Sequence, residues 1–342
     1  MQSLNNTQVS FSSSSFTCIH HEFVYQVIKH PQKLAVELDE QSLTYCELLY
    51  YVQVLSLILL NECRIVPGEI ICQCVERSLS MVIGIMGIEM AGGVYCPLSS
   101  RDPQHRLYAL VEQTQSRLVL VHHLTKTKLE HTIVLLDIDL VSMSHVAERV
   151  IDVTRLSEVA TVSDDVAYII FTSGSTGIPK AAQTRHRNFT NFVYSIQNAG
   201  ILNRQDVMLQ ICAPTYDVHV MEIMGSLLLC ATVVILRPYG NMNFEYFTRT
   251  LQHKQITCIA PVPTFLDHLC DFLAHSNRES LSFIRSLCIG GGVGVFAGYL
   301  SRDDLTAKAL LEIDSQLFYR TGDLVTLDDN GLIHYQGRKD HQ

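Results

Sequence analysis

The stretch Val166–Lys180, with the sequence VAYIIFTSGSTGIPK, has two halves of different character. The first half, VAYIIF, is an apolar run with the length and the β-branched and aromatic content of a buried strand. In the second half, TSGSTG places four hydroxyl side chains and two glycines in six positions. Gly174 and Gly177 permit positive φ, so successive backbone N–H groups can turn towards one point, where hydroxyls and the Lys180 ammonium can join them. The stretch therefore predicts a strand followed by a loop that binds an anion, most suitably a polyphosphate.

This loop does not match the commonest phosphate-binding pattern, G-x-x-x-x-G-K-[ST]. Pro179 stands five residues after Gly174, and Ala181, instead of serine or threonine, follows Lys180. A serine- and glycine-rich turn between two strands, with no ligand, is the plain structural alternative. The preceding strand, together with Pro179 and Lys180, favours the binding interpretation.

The composition is that of a globular protein, with 342 residues of which 47% are hydrophobic. Lys and Arg number 25 against 34 Asp and Glu, which gives a net charge of −9. Since there is no basic stripe, we expect a small-molecule or protein partner, and neither nucleic acid nor a membrane. The 11 cysteines contain no CxxC pair and lie mostly in apolar runs, which predicts reduced, buried thiols in a cytoplasmic protein. The N-terminus shows no secretory signal pattern.

Strand-like and helix-like segments alternate along most of the chain, which predicts an α/β fold. Residues 1–17 are polar and serine-rich and are expected to form a flexible leader or linker. Thr44 and Glu47 have the spacing of a capping box, which predicts the start of a helix. The helix that follows, Leu48–Leu60, is apolar nearly all round. We expect it to be heavily buried, with an exposed partner-binding face as the alternative.

Two histidine pairs, His20-His21 and His122-His123, have no cysteine or carboxylate partner at ligand spacing. We therefore expect surface or capping histidines and no metal site. Glu89 interrupts an apolar, helix-like segment and is expected to be an unfavourable group in the core.

Several segments resemble signatures of the adenylate-forming (AMP-binding) superfamily, which includes adenylation domains of nonribosomal peptide synthetases, acyl-CoA synthetases and luciferases. TSGSTGIPK resembles its phosphate loop, and Ala91–Leu98, AGGVYCPL, resembles KAGGAYVPL, with Glu89 where an apolar residue is usual. The tail segments YRTGDL and GRKD are similar to later motifs. Members join a carboxylic acid to ATP and leave an acyl-adenylate. The resemblance implies a large domain of parallel sheets flanked by helices, with a partial distorted β-barrel after it.

The resemblance also implies ATP as the cofactor, with Mg²⁺ expected for the family. The implied nucleotide-binding residues are Thr172, Ser173, Gly174, Ser175, Thr176, Gly177, Lys180, Asp323 and Arg338. Lys180 and Thr176 would take catalytic roles at the phosphates. Asp323 would grip the ribose hydroxyls, and Arg338 would contact the nucleotide.

The segment Ala213–Glu222, APTYDVHVME, resembles the FDxSVWE motif of amino-acid-activating members. Asp217 stands where the family aspartate pairs with the substrate's α-ammonium group, which favours an amino acid over a fatty acid. Without that context, a helix N-cap would be the simpler role for Asp217. The implied substrate-binding residues are Asp217, Val218, Met221, Ala260, Gly290 and Gly291.

The segment Val293–Leu300, VGVFAGYL, resembles a later family segment but follows the glycines 290–292 directly. The N-x-Y-G-P-T-E motif that normally lies between them, whose glutamate helps to hold Mg²⁺, occurs nowhere in the chain. We therefore expect an internally deleted and C-terminally truncated copy. Its parts would be an adenylation core (18–292) and a partial β-barrel segment (293–342) that ends at the hinge, without the small lid domain and its lysine.

These observations lead to three functional hypotheses. The first is activation of an amino acid as an aminoacyl-adenylate by a nonribosomal peptide synthetase adenylation domain, which would pass the product to a phosphopantetheinyl carrier domain. Activity of this copy is expected to be impaired, so whether it is an enzyme stays open. The second is a non-catalytic remnant that binds a nucleotide or a partner. The third, an acyl- or aryl-CoA ligase relative, is disfavoured by Asp217.

Overall fold

The computed structural model describes residues 18–129, 134–139, 153–172, 179–274, 281–287, 298–313, 316–319, 323–327 and 333–338. Side chains are described as far as residue 308, except that of Pro263. The α-helices are α1 (Ile19–Lys29), α2 (Tyr45–Asn61), α3 (Leu79–Met90), α4 (Gln104–Thr114), α5 (His186–Asn198), α6 (Asp217–Val220, continued by a π-helical turn over Met221–Gly225 and a last turn over Ser226–Leu228), α7 (Phe244–His253), α8 (Pro263–Ala274) and α9 (Asp303–Ala309). Short 3₁₀ turns cover Lys126–Lys128, Val153–Glu158 and Gly240–Met242.

The strands are β1 (Leu34–Leu38), β2 (Gln41–Thr44), β3 (Ile70–Cys74), β4 (Val94–Pro97), β5 (Leu118–Val121), β6 (Val134–Asp137), β7 (Val166–Thr172), β8 (Lys180–Arg185), β9 (Val207–Gln210), β10 (Thr232–Ile235), β11 (Cys258–Ile259), β12 (Ser286–Leu287), β13 (Gly298–Tyr299), β14 (Leu310–Ile313), β15 (Gln316–Tyr319), β16 (Asp323–Leu327) and β17 (Ile333–Arg338). They form one sheet of seven strands, one of six, and two separate pairs.

The seven-stranded sheet has the order β13-β8-β7-β4-β3-β5-β6. Its strands from β7 to β6 run parallel, as expected for strands joined through helices, and Tyr95 of β4 is the register partner of Tyr168 of β7. β8 returns antiparallel to β7, and β13 pairs antiparallel with β8. The apolar run of the central stretch is therefore a strand in the interior of this sheet.

The six-stranded sheet has the order β12-β11-β9-β10-β1-β2. All of its pairs are parallel except the β1–β2 hairpin. The predicted parallel sheets flanked by helices are thus confirmed, with antiparallel strands at the edges. The strands after residue 309 form two antiparallel pairs, β14–β15 and β16–β17. The partial barrel and the domain limits at 292 and 293 stay predictions, and residues 1–17 lie outside the described part of the chain.

The main core lies between the two sheets. Its largest cluster of buried apolar side chains includes residues from α2 and α3 and from strands of both sheets. Every residue of α3 from Met81 to Met90 is buried. Gly87 lets α2 approach closely, because a Cβ at this position would meet Leu55 Cδ2 at 2.6 Å. The hydroxyl of Ser56 in α2 donates to the Gly87 carbonyl at 2.9 Å, which satisfies a polar group inside this contact.

Two predictions about α2 are confirmed. Thr44 and Glu47 form a reciprocal capping box, in which the Thr44 N–H donates to Glu47 Oε2 at 2.8 Å. No residue from Leu48 to Leu60 is exposed. In the described part of the chain, none of the helices combines the length and the apolarity needed to cross a bilayer.

Candidate functional site

The ends of β7 and β8 hold the two sides of the predicted phosphate loop. Thr172 and Lys180 are direct register partners, and the Thr172 hydroxyl donates to the Lys180 carbonyl at 3.4 Å. Because the two strands are antiparallel, the connection between them starts and ends at the same edge of the sheet. The predicted phosphate-binding residues Ser173, Gly174, Ser175, Thr176 and Gly177 lie outside the described residues.

The Lys180 side chain is half-buried beside β13, which belongs to the segment Val293–Leu300 that resembles a later family segment. Its ammonium lies over the Tyr299 ring, 5.5 Å from the ring centroid. Tyr299 is held there because β13 pairs with β8, and the Leu300 N–H donates to the Ala181 carbonyl at 2.9 Å. Residues 298–300 thus pack directly against the strand that begins with Lys180.

Asp217 is the first residue of α6, at the end of the loop that follows β9. Its Oδ1 accepts from the Val218 N–H at 2.9 Å. Burial raises the pKa of Asp217, while the hydrogen bonds from the backbone N–H groups of Val218 and Asp217 act in the opposite direction. The N-cap is Tyr216, which makes no side-chain cap bond, so the simpler N-cap role for Asp217 is wrong. Tyr168 of β7 has its pKa raised, mainly by burial, and the charge of Asp217 adds to this shift. Asp217 therefore lies within electrostatic reach of the central strand.

The first residues of this loop, Ile211 and Cys212, are held by two buried, ionisable side chains. Glu222 of α6 accepts from the backbone N–H groups of Ile211 and Cys212, both at 3.1 Å. The Arg77 guanidinium, at the end of β3, donates to the carbonyls of the same two residues. Both the N–H and the C=O groups of Ile211 and Cys212 are thus satisfied by side chains from other elements.

Gln210, at the end of β9, joins these two charges. Its Oε1 accepts from Arg77 Nε at 2.8 Å, and its Nε2 donates to Glu222 Oε2 at 3.0 Å. Arg77 also donates to Asn241 Oδ1 at 3.1 Å. We call Arg77, Gln210, Glu222 and Asn241 the loop clamp, because together they connect the ends of β3 and β9 with α6.

Burial dominates the electrostatics of the loop clamp. It raises the pKa of Glu222 to about 7, although hydrogen bonds from Ile211, Cys212 and Gln210 and the charge of Arg77 act in the opposite direction. Burial also lowers the pKa of Arg77. His219, whose Nε2 lies 3.5 Å from the Tyr95 hydroxyl, has its pKa lowered to about 3 by burial, so its imidazole is neutral.

The three apolar residues among the implied substrate-binding residues, Val218, Met221 and Ala260, belong to one apolar region. Met221 and Ala260 are part of the main core cluster, and the half-buried Val218 packs against it. The Cys212 thiol donates to the Ala260 carbonyl at 3.4 Å, which connects this region to the loop clamp. These apolar residues therefore lie on or beside the elements that carry Asp217.

Asp323 and Arg338 are register partners across β16 and β17. The two residues that the resemblance assigns to the nucleotide are thus adjacent in the backbone. Gly290 and Gly291 lie outside the described residues. The structure brings the other predicted residues together as three groups, around Lys180, around Asp217 and at the Asp323–Arg338 pair.

Sequence reasoning missed the loop clamp. Glu222 closes the same motif that contains Asp217, so its position five residues later on a helix was an available signal. The expectation of surface or capping histidines is wrong for His20 and His122, which are 6% and 2% exposed. His20 contacts His186, with ring centroids 5.8 Å apart, so it faces the core, whereas His21 is exposed.

Comparison with solved structures supports the fold. The chain superposes on the nonribosomal peptide synthetase FmoA3 (S1046A) in its AMPPNP-bound form with a TM-score of 0.85 and 19% identity, covering 98% of this chain and 44% of that one. It also matches NpsA-ThdA, an artificially fused adenylation–PCP di-domain from Klebsiella oxytoca, with a TM-score of 0.79 and 19% identity, covering 96% of this chain and 80% of that one.

Sequence comparison identifies the family. A linear gramicidin synthase of Brevibacillus parabrevis is 27% identical over 413 aligned positions, which take in 99% of this chain and only 5% of that protein. Since this chain has only 342 residues, roughly seventy of the 413 alignment positions pair a residue of that relative with a gap in this chain. Residues 23–294 match the family model of the AMP-binding enzymes. The chain therefore belongs to the family of AMP-binding enzymes.

Proposed function

We propose that the chain binds ATP and an amino acid in the manner of a nonribosomal peptide synthetase adenylation domain, whose reaction forms an aminoacyl-adenylate. The observation that carries the proposal is the position of Asp217, which lies half-buried at the start of α6 in the segment that resembles the amino-acid-binding motif of the family. A carboxylate that can pair with an ammonium group is thereby placed on the helix that also carries Val218 and Met221. Acyl- or aryl-CoA ligase chemistry offers no role for such a carboxylate.

Attack of a carboxylate on a triphosphate brings negative charges together, so the site has to supply cations and hydrogen-bond donors. In this proposal Lys180 and the hydroxyls of Thr172, Ser173, Ser175 and Thr176 neutralise and orient the phosphates. Asp323 binds the ribose, and Arg338 contacts the nucleotide. Asp217 holds the α-ammonium group, and Val218, Met221 and Ala260 favour an apolar side chain.

Mg²⁺ is typical of the reaction, but the residues described here do not fit it. Mg²⁺ prefers oxygen ligands in octahedral geometry. Among the described residues, the group of three metal-ligating side chains that come together consists of His20, His186 and Glu89, and it includes none of the residues assigned to ATP. The metal-binding glutamate motif of the family is also absent from the sequence. We therefore assign no step of the reaction to Mg²⁺ held by this chain.

A second function, nucleotide binding without turnover, is favoured by the missing residues. The family match ends at residue 294, close to the expected deletion between Gly292 and Val293. Roughly seventy residues of the gramicidin synthase, within the aligned region, have no counterpart in this chain. The N-x-Y-G-P-T-E motif, whose glutamate helps to hold Mg²⁺ in the family, normally lies between the two segments that are adjacent here. We therefore propose that activation is impaired and that binding persists. A carrier domain would be the partner of an active form.

Two measurements on the same protein separate these functions. Calorimetric titration with ATP tests binding, and ATP–pyrophosphate exchange with a panel of amino acids tests activation. We expect ATP binding, with exchange that is weak and restricted to apolar amino acids. Exchange with fatty or aryl acids, or failure to bind ATP, would contradict the proposal.

The Asp217→Asn variant tests the amino-acid site. It should weaken amino-acid binding at least about 10-fold, because the amide cannot form the charge-assisted bond to an ammonium group, and it should leave ATP affinity unchanged. Glu112→Gln, on the exposed face of α4, is the matched control and should change neither. Equal loss of both affinities in Asp217→Asn would indicate damage to the fold rather than loss of the ammonium partner.

A further inference from the structure

Three helices bring metal-ligating side chains together in the core, in a cluster that contains none of the residues assigned to the proposed function. His20 lies in the first turn of α1, Glu89 in the last turn of α3, and His186 is the first residue of α5. Each offers one ligand atom, and these atoms all lie within 4.8 Å of one another. The three residues are 6%, 0% and 2% exposed.

The polar atoms of this cluster lack the partners that buried groups normally have. Neither carboxylate oxygen of Glu89 has a hydrogen-bond partner within the described part of the chain, and the same is true of His20 Nδ1. An unpartnered, fully buried carboxyl is costly, because it loses its hydration and gains nothing in return. His186 Nδ1 lies 3.6 Å from Glu89 Oε2, which is too far for a good hydrogen bond.

His186 is already oriented towards this centre. The Ile19 backbone N–H donates to His186 Nδ1 at 3.3 Å, so the lone pair of the ring is on Nδ1, the nitrogen nearest to Glu89.

We propose that His20, Glu89 and His186 form a buried site for a divalent metal and that the metal it takes is zinc. Two imidazoles and one carboxylate are an established protein ligand set for Zn²⁺, with a fourth position left for water. Ligands at about 2.1 Å in a tetrahedron lie roughly 3.4 Å apart, so ligand atoms up to 4.8 Å apart have to close by little more than about 1 Å. At Nδ1 the metal replaces the long hydrogen bond from Ile19. The metal accounts for the unpartnered carboxyl and ties α1, α3 and α5 together.

Zinc content tests this site independently of ATP or amino-acid binding. The full chain, with any affinity tag removed, is incubated with equimolar ZnCl₂ and desalted. The zinc content per chain is then measured by elemental mass spectrometry. We expect one zinc per chain, and a visible absorption typical of tetrahedral Co²⁺ when CoCl₂ replaces zinc. A wild-type chain that keeps no zinc would overturn the proposal.

Two substitutions of Glu89 distinguish loss of the zinc site from loss of folding. Glu89→Gln keeps the shape and removes the anionic ligand, and Glu89→Leu suits the apolar helix α3. Each should weaken zinc affinity at least about 100-fold, since even the partners of metal ligands contribute 10- to 100-fold, and each should abolish the zinc-dependent rise in Tm. His123→Gln is the matched control, because His123 pairs with Asp139 at 2.6 Å on the exposed side of the fold, and it should keep the zinc. Full zinc content in both Glu89 variants would overturn the proposal, because the metal would then be bound by other side chains.

Discussion

The loop that carries Asp217 and the strand ends that carry Thr172 and Lys180 are held in different ways. At the start of the loop, side chains of the loop clamp bind both the N–H and the C=O groups of Ile211 and Cys212. At the strand ends, position is set by the register of β7 and β8, and Lys180 contacts only the face of an aromatic ring among the contacts described for its ammonium.

Because of this difference, we expect substitutions in the loop clamp to change mainly stability and substitutions of Lys180 to change mainly ligand binding. Side chains of the loop clamp have no solvent to replace a lost partner, so changes there should damage the fold. Lys180 is half-buried, and water can take over from its contacts. In the proposed function, the amino-acid side is therefore built into the core, whereas the phosphate side can be altered at little cost to the fold.

Glu222→Ala should have the largest effect on stability. It removes the acceptor of two backbone N–H groups and leaves the Arg77 guanidinium buried without its counter-charge. We expect the free energy of unfolding in urea to fall by about 3 to 5 kcal/mol. Glu112→Ala, at an exposed position of α4, is the control and should stay within about 0.5 kcal/mol of the wild type. A loss below about 1 kcal/mol for Glu222→Ala would mean that the loop clamp does not hold this loop.

Glu222 should also make stability depend on pH. Its pKa is raised from 4.5 to about 7, so the folded chain binds the proton more tightly than the unfolded chain. The resulting stabilisation is complete below about pH 4.5 and is lost as the pH rises through 7. Arg77 and Cys212 interact with the carboxyl, and His219 is connected to it through Gln210. Glu222→Gln leaves all three in place.

Urea unfolding of the wild type and Glu222→Gln between pH 4.5 and 8 isolates this contribution. Relative to the variant, the wild type should lose roughly 3 kcal/mol across the interval, since each unit of pKa shift corresponds to about 1.4 kcal/mol. Shifts of other histidines affect both proteins alike and cancel in the difference. A constant difference at all pH values would show that Glu222 is ionised throughout.

Arg77→Lys keeps the charge but loses the planar fork that reaches Gln210, Asn241 and the carbonyl of Ile211 together. We expect a loss of about 2 kcal/mol in the free energy of unfolding, smaller than for Glu222→Ala because the counter-charge remains. Arg106→Lys is the matched control, since Arg106 forms an exposed pair with Asp102, and its loss should be below about 0.5 kcal/mol. Equal losses in the two variants would remove the distinction between the loop clamp and an ordinary surface pair.

The sequence predicted the features that depend on local pattern. The apolar run of Val166–Phe171 predicts a strand, and Thr44 with Glu47 predicts a helix start, because both signals lie within a few residues. The α/β class follows from the alternation of such segments. The antiparallel turn of β8 back along β7 was not predictable in this way, because it depends on pairing across the loop.

The sequence did not predict the groups assembled from distant segments. Arg77 and Glu222 are 145 positions apart in the numbering, and His20, Glu89 and His186 lie on three different helices. His20 followed by His21 gives no sign of which imidazole faces inward. Such contacts depend on helix packing against the sheets, and spacing along the chain carries no information about them. Resemblance supplied Asp217, but the side chains that hold its loop required the fold.

Lys180→Met should have the smallest effect on stability and a clear effect on nucleotide binding. Removing the ammonium loses a cation–π contact with Tyr299 worth about 0.5 to 1 kcal/mol, so the free energy of unfolding should change by no more than that. If the ammonium neutralises a triphosphate, ATP affinity measured by calorimetry should fall about 10- to 100-fold, the equivalent of one or two charge-assisted bonds. Tyr299→Leu is the control, since it removes the ring and leaves the ammonium, and should keep ATP affinity within about threefold. Unchanged ATP affinity in Lys180→Met would show that Lys180 does not contact the triphosphate. The conclusions about the loop clamp would stand, because they do not depend on Lys180.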